Sequence, residues 1–340
     1  MRVLSRNQRD SPPAAVLRHY PADCLPTACT RSKAGFSGAE VFRLESPRGP
    51  LALRRWPAEH PSADRLAWIH SVVTHAARRG FGRVPVPIAA DTGNSYIDVE
   101  GRLWELAPWL PGRADYRVHP DPARLKAALQ TLAELHLALA DFRPNPRPVG
   151  PSPGLNARLT QLRGLLSGES AAIAGAVAGR CASFSRSIVE AAREILDHFE
   201  RRAAAIERLL AGTVEQTFPL QPAIRDIHHE HVLFVDDAVT GIIDFGAMRF
   251  ESIAGDVARL LGSLVGGDRR GWQAGLAAYD AARPLTDVER ELVHVFDASG
   301  VLLGGMNWLN WLFVERRQFA DRRNVQTHLA ELAVRLRTSA

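Results

Sequence analysis

Cysteine is scarce in this chain, which argues against a fold built on disulfide bonds. Only Cys24, Cys29 and Cys181 occur among the 340 residues, and no two of them have the C-x-x-C spacing. Three thiols cannot form a disulfide framework. We therefore expect a protein of a reducing compartment such as the cytoplasm.

Long apolar runs are also missing. The N-terminal sequence MRVLSRNQRDSPPAA has no apolar core, so we expect no signal peptide. The longest uncharged stretch, residues 298–314, is shorter than the roughly 20 residues that span a bilayer. We expect this stretch to be a buried helix, and we expect no membrane partner.

The excess of positive charge is small. The chain has 42 Lys+Arg and 37 Asp+Glu, which gives a net charge of +5. An ordinary solvated surface explains this excess, because net charge bears on solubility before it bears on partners. Most of the basic residues are arginine, whose guanidinium suits phosphate, so a nucleotide would fit as well. Basic runs with interleaved aromatic residues are missing, so no nucleic-acid partner is expected.

The first third of the chain has the pattern of a small sheet with one helix. Alternating apolar residues predict strands, and apolar residues at helical spacing predict a helix that ends at Gly80. The strands are expected over residues 40–44, 51–56, 94–99 and 102–108, and the helix over residues 62–79. Residues 1–13 are polar and are expected to be disordered.

The remainder of the chain, after the stiff segment Pro108–Gly112, is mainly helical in pattern. A proline-rich loop is expected over residues 144–154. Helices are expected from residue 121, over 188–210, 251–266, 268–282 and 324–338, and over 286–320 with a break. No internal repeat is present.

Two aspartates lie on either side of a short predicted hairpin. Asp226 lies in the loop sequence IRDIHHEHVLF, and Asp244 ends the apolar strand of GIIDFG. Phosphoryl transfer uses such a pair, because one carboxylate orients a hydroxyl and the other holds the magnesium that bridges the nucleotide phosphates. A structural aspartate that caps a turn is the alternative for Asp226.

This spacing resembles the catalytic loop and DFG motif of the protein-kinase-like fold. In pattern it is most similar to the aminoglycoside phosphotransferase family, whose usual text is roughly HGDxHxxN…IDFG. The resemblance implies that Asp226 is the catalytic base and Asp244 a metal ligand. His231 falls where the family has its metal-binding asparagine, and Ile224 where it has the leading histidine. An imidazole is softer than an amide oxygen, so Mn²⁺ is considered beside Mg²⁺.

Arg225 and the neighbouring histidines allow more than one interpretation. Arg225 is similar to the arginine of the kinase HRD triplet, and it either holds the loop or pairs with a surface acid. If the segment is extended, His229 and His231 face together, away from His228. A transition-metal site of a metallohydrolase is the alternative for this cluster.

The predicted small lobe contains residues that could bind a nucleotide. Gly35, Ser37 and Gly38 precede the first strand and are expected to form a phosphate loop, although a plain β-turn has the same composition. Arg54 stands where kinases have the lysine of their V-A-I-K strand, and it could bind phosphates bidentately. A solvated strand arginine is the alternative. Arg55 should point to the other face.

Kinases pair this strand cation with a glutamate on the next helix, but residues 65–79 contain no acid. Either Asp64 substitutes or the ion pair is absent, and His70 lies near the expected position. The resemblance also implies that ATP binds in the cleft near the hinge, where Glu105 and Ala107 are the expected contacts.

Two further features complete the pattern. Asp256, in the segment GDVAR, is similar to the family residue that braces the catalytic loop, although an acid that simply starts a helix is the alternative. Trp308, Trp311 and Phe313 form either part of the core or a wall that stacks on a substrate ring.

The resemblance covers residues from about 35 to 315 and implies a two-lobe α+β fold of the protein-kinase-like type. We expect a tail over residues 1–30, a small nucleotide-binding lobe over 31–110 and a helical lobe with the acceptor site over 111–340. The implied activity is transfer of the γ-phosphoryl group of ATP to a hydroxyl of a small molecule. A nucleotide-binding pseudokinase or scaffold is the alternative.

Overall fold

The structure, a computed structural model, describes residues 14–32, 38–143, 148–319 and 322–338, with the backbone alone for 322–324. Its first part is an antiparallel sheet of five strands in the order β1-β2-β3-β5-β4. The strands are β1 (Ala28–Arg31), β2 (Glu40–Ser46), β3 (Gly49–Arg55), β4 (Ile97–Val99) and β5 (Arg102–Pro108). All four predicted strands are present, but β4 is shorter than predicted. Strand β1 was missed, because most of its residues are exposed and lack an apolar alternation.

The sheet shares its core with the chain segment that precedes it. Leu44, Leu53 and Leu106 of three adjacent strands are fully buried. Helix α1 (Ala14–Leu17) and the residues up to Cys24 pack into the same core, and Val16 is fully buried there. The predicted tail over residues 1–30 therefore includes a segment, residues 14–24, that packs against the sheet, and the domain bounds stay a prediction. Residues 1–13 lie outside the described residues.

Helix α2 (Ala63–Arg78) follows the sheet hairpin, close to its predicted bounds. The side chain of Ser62 caps its first turn by accepting the N–H of Arg65, and the chain reverses at Gly80, whose φ is +91°. The apolar stripe that includes Ile69 and Val73 packs into the core of the helical part. This helix therefore connects the sheet to the rest of the molecule.

The larger part of the fold is helical. Its helices are α3 (Pro122–Ala138), α4 (Pro153–Gly164), α5 (Ser170–Arg180), α6 (Arg186–Ala211), α7 (Ala254–Val265), α8 (Arg269–Ala282), α9 (Asp287–Leu309) and α10 (Arg322–Thr338). The break expected within residues 286–320 is a π-helical turn, Asn310–Val314. Helices α4 and α5 were not predicted, and α4 begins within the expected loop. None of the described helices is both long enough and apolar enough to cross a membrane.

Three pairs of short antiparallel strands position the loops between the two parts. The pairs are β6 (Val149–Gly150) with β7 (Phe218–Pro219), β8 (Gln221–Ala223) with β11 (Arg249–Glu251), and β9 (Val232–Val235) with β10 (Ala238–Ile242). The β9–β10 hairpin is the one that separates the two aspartate motifs.

Candidate active site

The β9–β10 hairpin brings the two sequence motifs together. The turn His229–His231 leads into β9, and Asp244 follows the end of β10 by two residues. The N–H of Ile243 donates to the carbonyl of His231 at 3.0 Å, which ties the two ends of the hairpin. As a result, Nε2 of His231 lies 3.6 Å from Oδ2 of Asp244.

Asp256 fixes the loop that carries Asp226. Its fully buried carboxylate accepts the backbone N–H of Ile224 at 2.7 Å and that of Arg225 at 2.6 Å. These two bonds hold Arg225 in the left-handed region, with φ of +67°. The predicted bracing contact is confirmed. Asp256 also lies in the first turn of α7. The alternative, an acid that simply starts a helix, therefore describes its position but does not explain its contacts.

His136 belongs to the same buried network, which the sequence analysis missed. Its Nε2 lies 3.3 Å from Oδ2 of Asp256, and its Nδ1 lies 2.7 Å from the hydroxyl of Tyr279. Burial lowers the pKa of His136, and the opposing influence of Asp256 does not compensate for it. The fold therefore contains a neutral imidazole behind the loop. The LAELH sequence was the signal that could have revealed it.

Arg54 reaches from β3 into the site. Its Nη1 lies 3.2 Å from Oδ1 of Asp244, and its Nε lies 3.8 Å from Oε1 of Glu105. The guanidinium also lies 4.8 Å from the centre of the Trp56 ring. Arg55 points to the other face, as predicted, and there it pairs with Glu40. Arg54 is therefore part of the site and is not a solvated strand arginine.

Glu105 takes the place of the missing helix glutamate. It lies opposite Arg54 in the register of β3 and β5. His70 of α2 contacts the Glu105 carboxylate at 2.7 Å through Nε2, and its Nδ1 lies 2.7 Å from Oγ of Ser95. Asp64 does not substitute for the helix glutamate, and among the described residues the ion pair between the strand cation and an acid of α2 is absent, as the second alternative held.

The environment keeps the carboxylate of Glu105 ionised. Burial alone would raise its pKa, but the hydrogen bond from His70 and the charge of Arg54 outweigh this, so the pKa is lowered. The Trp56 indole also donates to Oε2 at 2.9 Å. In β5 the carbonyl of Leu106 points away from β3 and accepts the N–H of Ile88. The backbone groups of its neighbours Glu105 and Ala107 therefore point toward β3.

Asp244 is ionised and held in an unusual backbone conformation. Its φ is +66°, in the left-handed region, so the chain turns sharply at Asp244. Gly246 serves close packing, since a Cβ there would lie 3.0 Å from the Trp56 ring. Burial favours the neutral acid, but the charges of Arg54 and then His231 lower the pKa of Asp244. Phe245 is buried.

Asp226 is open to solvent on the other side of His231. Its side chain is 49% exposed and forms an ion pair with Arg259 of α7. The sequence analysis did not identify Arg259. The Arg225 guanidinium forms neither of the predicted contacts, since no described residue hydrogen-bonds or pairs with it. Only the backbone of Arg225 holds the loop.

The three histidines do not have the arrangement expected of an extended segment. Residues 229–231 form a 3-10 turn, which brings the rings of His228 and His231 to 3.8 Å between centres. Burial, and then neighbouring positive charge, lowers the pKa of His228 to about 2 and that of His229 to about 4. Within the described ranges, no group of three or more His, Cys, Asp or Glu side chains is arranged to hold a metal.

The structure describes only part of the predicted phosphate loop, and it separates Phe313 from the two tryptophans of the predicted aromatic wall. Gly35 and Ser37 lie outside the described residues, whereas Gly38 is described and has a φ of +72°. Phe313 is buried and packs on Phe184 at 4.4 Å between ring centres, so it belongs to the core. The half-buried rings of Trp308 and Trp311 pack edge to face at 5.4 Å.

Comparison with known proteins agrees with this geometry. The model of the APH family, described as the phosphotransferase enzyme family, matches residues 29–292. The chain belongs to this family. The matched segment includes the small sheet, the hinge, the catalytic loop and the DFG segment, and it ends in α9.

Curated proteins with related sequences include homoserine kinases. The chain is 31% identical over 279 residues to the homoserine kinase of Methylobacterium sp. (strain 4-46), covering 79% of this chain and 77% of that one. It is 24% identical over 327 residues to the homoserine kinase of Brucella canis (strain ATCC 23365 / NCTC 10854 / RM-666), covering 94% and 90%.

Solved structures with the same fold are small-molecule phosphotransferases. An aminoglycoside phosphotransferase from Alicyclobacillus acidocaldarius has a TM-score of 0.61 at 19% identity, covering 99% of this chain and 96% of its own. An amicoumacin kinase in complex with AMP-PNP and Ca²⁺ has a TM-score of 0.62 at 13% identity, covering 95% and 90%. These similarities establish the two-lobe kinase-like fold.

Proposed function

We propose that this protein transfers the γ-phosphoryl group of ATP to a hydroxyl of a small molecule. The observation that carries the proposal is the pair of aspartates across the β9–β10 hairpin, with Arg54 in contact with Asp244. As a hydroxyl oxygen bonds to the γ-phosphorus, Asp226 accepts its proton, and the bond to the β-phosphate oxygen breaks to release ADP. The proposal is also supported by family members solved with ADP or AMP-PNP.

The site has a donor set that suits a divalent ion. Asp244 supplies an ionised carboxylate, and the imidazole of His231 lies beside it with a lowered pKa. Mg²⁺ in such sites is held by one or two carboxylates together with substrate phosphates, so a cluster of three protein ligands is not required. The ion would neutralise charge on the phosphates, and His231 would make Mn²⁺ an acceptable substitute.

Arg54 is placed to bind the nucleotide phosphates once the cleft is filled. Glu105 and Trp56 hold its guanidinium from the sheet side, while Asp244 provides an exchangeable contact at 3.2 Å. Glu105 thus acts on the nucleotide through Arg54, and its own contact with ATP, like that of Ala107, remains a prediction. The retention of both Asp226 and Asp244 argues against the pseudokinase alternative.

The ion pair between Arg259 and Asp226 must open when an acceptor binds. Both side chains are nearly half exposed, and such pairs contribute about 0–1 kcal/mol, so an acceptor hydroxyl can displace the contact at little cost.

The acceptor that we infer is an alcohol with a carboxylate, of the homoserine type. Arg259 contacts Asp226, and its charge also acts on the buried Arg158 of α4. Burial, and then the charge of Arg259, lowers the pKa of Arg158 to about 10. This positive surrounding suits a carboxylate and opposes a polycationic aminoglycoside. The names of the homoserine kinase relatives support the same choice.

ADP release measured with L-homoserine and with spectinomycin tests both parts of the proposal. We expect Mg²⁺-dependent turnover with homoserine that falls about 10²–10⁴-fold in Asp226→Asn. Asp237→Asn, an exposed aspartate of the same hairpin, is the matched control and should keep the rate. Turnover with spectinomycin alone would contradict the acceptor class. ATP binding without turnover of any alcohol would favour the pseudokinase.

A further inference from the structure

Three arginines without acidic partners lie on three segments around the catalytic loop. They are Arg65 in the first turn of α2, Arg225 next to Asp226, and Arg249 in β11. No described residue forms an ion pair or a hydrogen bond with any of their guanidinium groups. Arginines elsewhere in the site, such as Arg54 and Arg259, do have carboxylate partners.

The backbone and one aromatic contact fix these segments near each other. Arg249 lies opposite Ala223 in the pairing of β11 with β8, two residues before Arg225. The Trp68 ring lies 4.4 Å from the guanidinium carbon of Arg65, and its centre is 5.8 Å from that of Phe250, the neighbour of Arg249. The cluster is therefore built on a helix, a strand and a braced loop.

The three side chains leave both charge and hydrogen-bond donors uncompensated. Nη2 of Arg65 is buried and has no hydrogen-bond partner among the described residues. Burial, followed by the charges of Arg249 and Arg225, holds the pKa of Arg65 below its ordinary value. Buried donors normally have partners, and the positive charges of Arg249 and Arg225 act unfavourably on that of Arg65. A bound anion would satisfy both requirements.

We propose that Arg65, Arg225 and Arg249 form an oxyanion site, distinct from the nucleotide site, that binds a phosphate or carboxylate group. Guanidinium forks present paired N–H donors that match the oxygens of either group. The anion would connect the first turn of α2 to the catalytic loop. Its source is either a free phosphate or the anionic group of an acceptor. This inference goes beyond the phosphoryl transfer proposed above.

Titration of the full chain with inorganic phosphate, without ATP or acceptor, tests the site. The thermal midpoint is followed against chloride at equal ionic strength, because a ligand of the folded state raises stability by mass action. We expect a phosphate-specific rise in the wild type and at least about tenfold weaker binding in Arg65→Gln and in Arg249→Gln. Arg249 is exposed, so its variant should fold normally even if the Arg65 variant does not.

Two controls locate the anion. Arg78→Gln changes an exposed arginine at the other end of α2 and should bind phosphate as the wild type does. Arg54→Gln should also keep the rise. Loss of the rise in Arg54→Gln but not in Arg65→Gln would assign the anion to the nucleotide site and overturn the proposal, as would no phosphate-specific rise in the wild type.

A second titration, with L-homoserine and acetate, identifies the source of the anion. A rise with these carboxylates that disappears in Arg65→Gln assigns the site to the acceptor, whereas a rise with phosphate alone assigns it to a free phosphate. Neither measurement depends on turnover. The site can therefore be established or rejected whether or not phosphoryl transfer is found.

Discussion

Replacing Asp256 by asparagine should destabilise the fold far more than the exchange of one heavy atom suggests. Both carboxylate oxygens accept backbone N–H groups, from Ile224 at 2.7 Å and Arg225 at 2.6 Å, in a fully buried position. The amide of asparagine has one oxygen, so its NH₂ group would face the second N–H donor. A hydrogen bond to a charged group contributes about 1.5–3 kcal/mol, and an orphaned buried donor costs about 1–3 kcal/mol. We expect a loss of about 3–5 kcal/mol in the free energy of unfolding.

The matched control is Asp268→Asn at the start of α8. Asp268 also accepts two backbone N–H groups, from Arg270 at 3.0 Å and Gly271 at 3.1 Å, but it is exposed. Asparagine caps helices nearly as well as aspartate, so this variant should lose less than about 0.5 kcal/mol. Urea denaturation followed by circular dichroism measures both. Equal losses would refute the argument that burial sets the cost.

Two further predictions concern groups with shifted pKa values. Glu105→Gln removes the charge that positions Arg54, so ATP binding should weaken about tenfold, or 1.4 kcal/mol. In the same titration the control variant Asp98→Asn, which changes an exposed aspartate, should bind ATP normally. Equal binding of ATP by both variants would contradict this role of Glu105. His136 stays neutral in the fold because burial lowers its pKa. The unfolded chain takes up its proton near pH 6.5, so stability should fall below that pH by up to about 1.4 kcal/mol per pH unit. Denaturation between pH 7 and 5 should show a shallower slope in His136→Gln, and an unchanged slope would exclude this source.

Much of the fold follows from local patterns in the sequence. Apolar residues at helical spacing gave α2, α6 and the C-terminal helices, and alternation gave β2 and β3. Helix α5 was missed because its sequence, SAAIAGAVAGR, is rich in alanine and glycine and has only two buried branched residues. The packing of the chain before β1 could not be predicted from the sequence, because its apolar residues are buried only by contact with the sheet.

The candidate site shows the same limit. Asp226 and Asp244 could be proposed as site residues from their spacing, because they flank one local hairpin. The partner of Arg54 could not, since Glu105 lies 51 residues later in sequence and becomes its neighbour only through the β3–β5 register. His228 and His231 were assigned to opposite faces because a three-residue 3-10 turn cannot be distinguished from an extended segment by composition alone.

The carboxylate that pairs with Arg54 is on strand β5, at Glu105, and not on helix α2. This position changes how α2 influences the site. With a glutamate on the helix, the helix would contact the strand cation directly. Here the helix supplies His70, which contacts Glu105 at 2.7 Å, and the carboxylate then contacts Arg54 from the neighbouring strand. Arg54 keeps a partner within its own sheet even if α2 moves, because the β3–β5 register fixes Glu105. Movement of α2 would instead alter the pairing of His70 and the distance of Arg65 from Arg225. We therefore expect α2 to influence the site more through the loop that carries Arg225 and Asp226 than through Arg54.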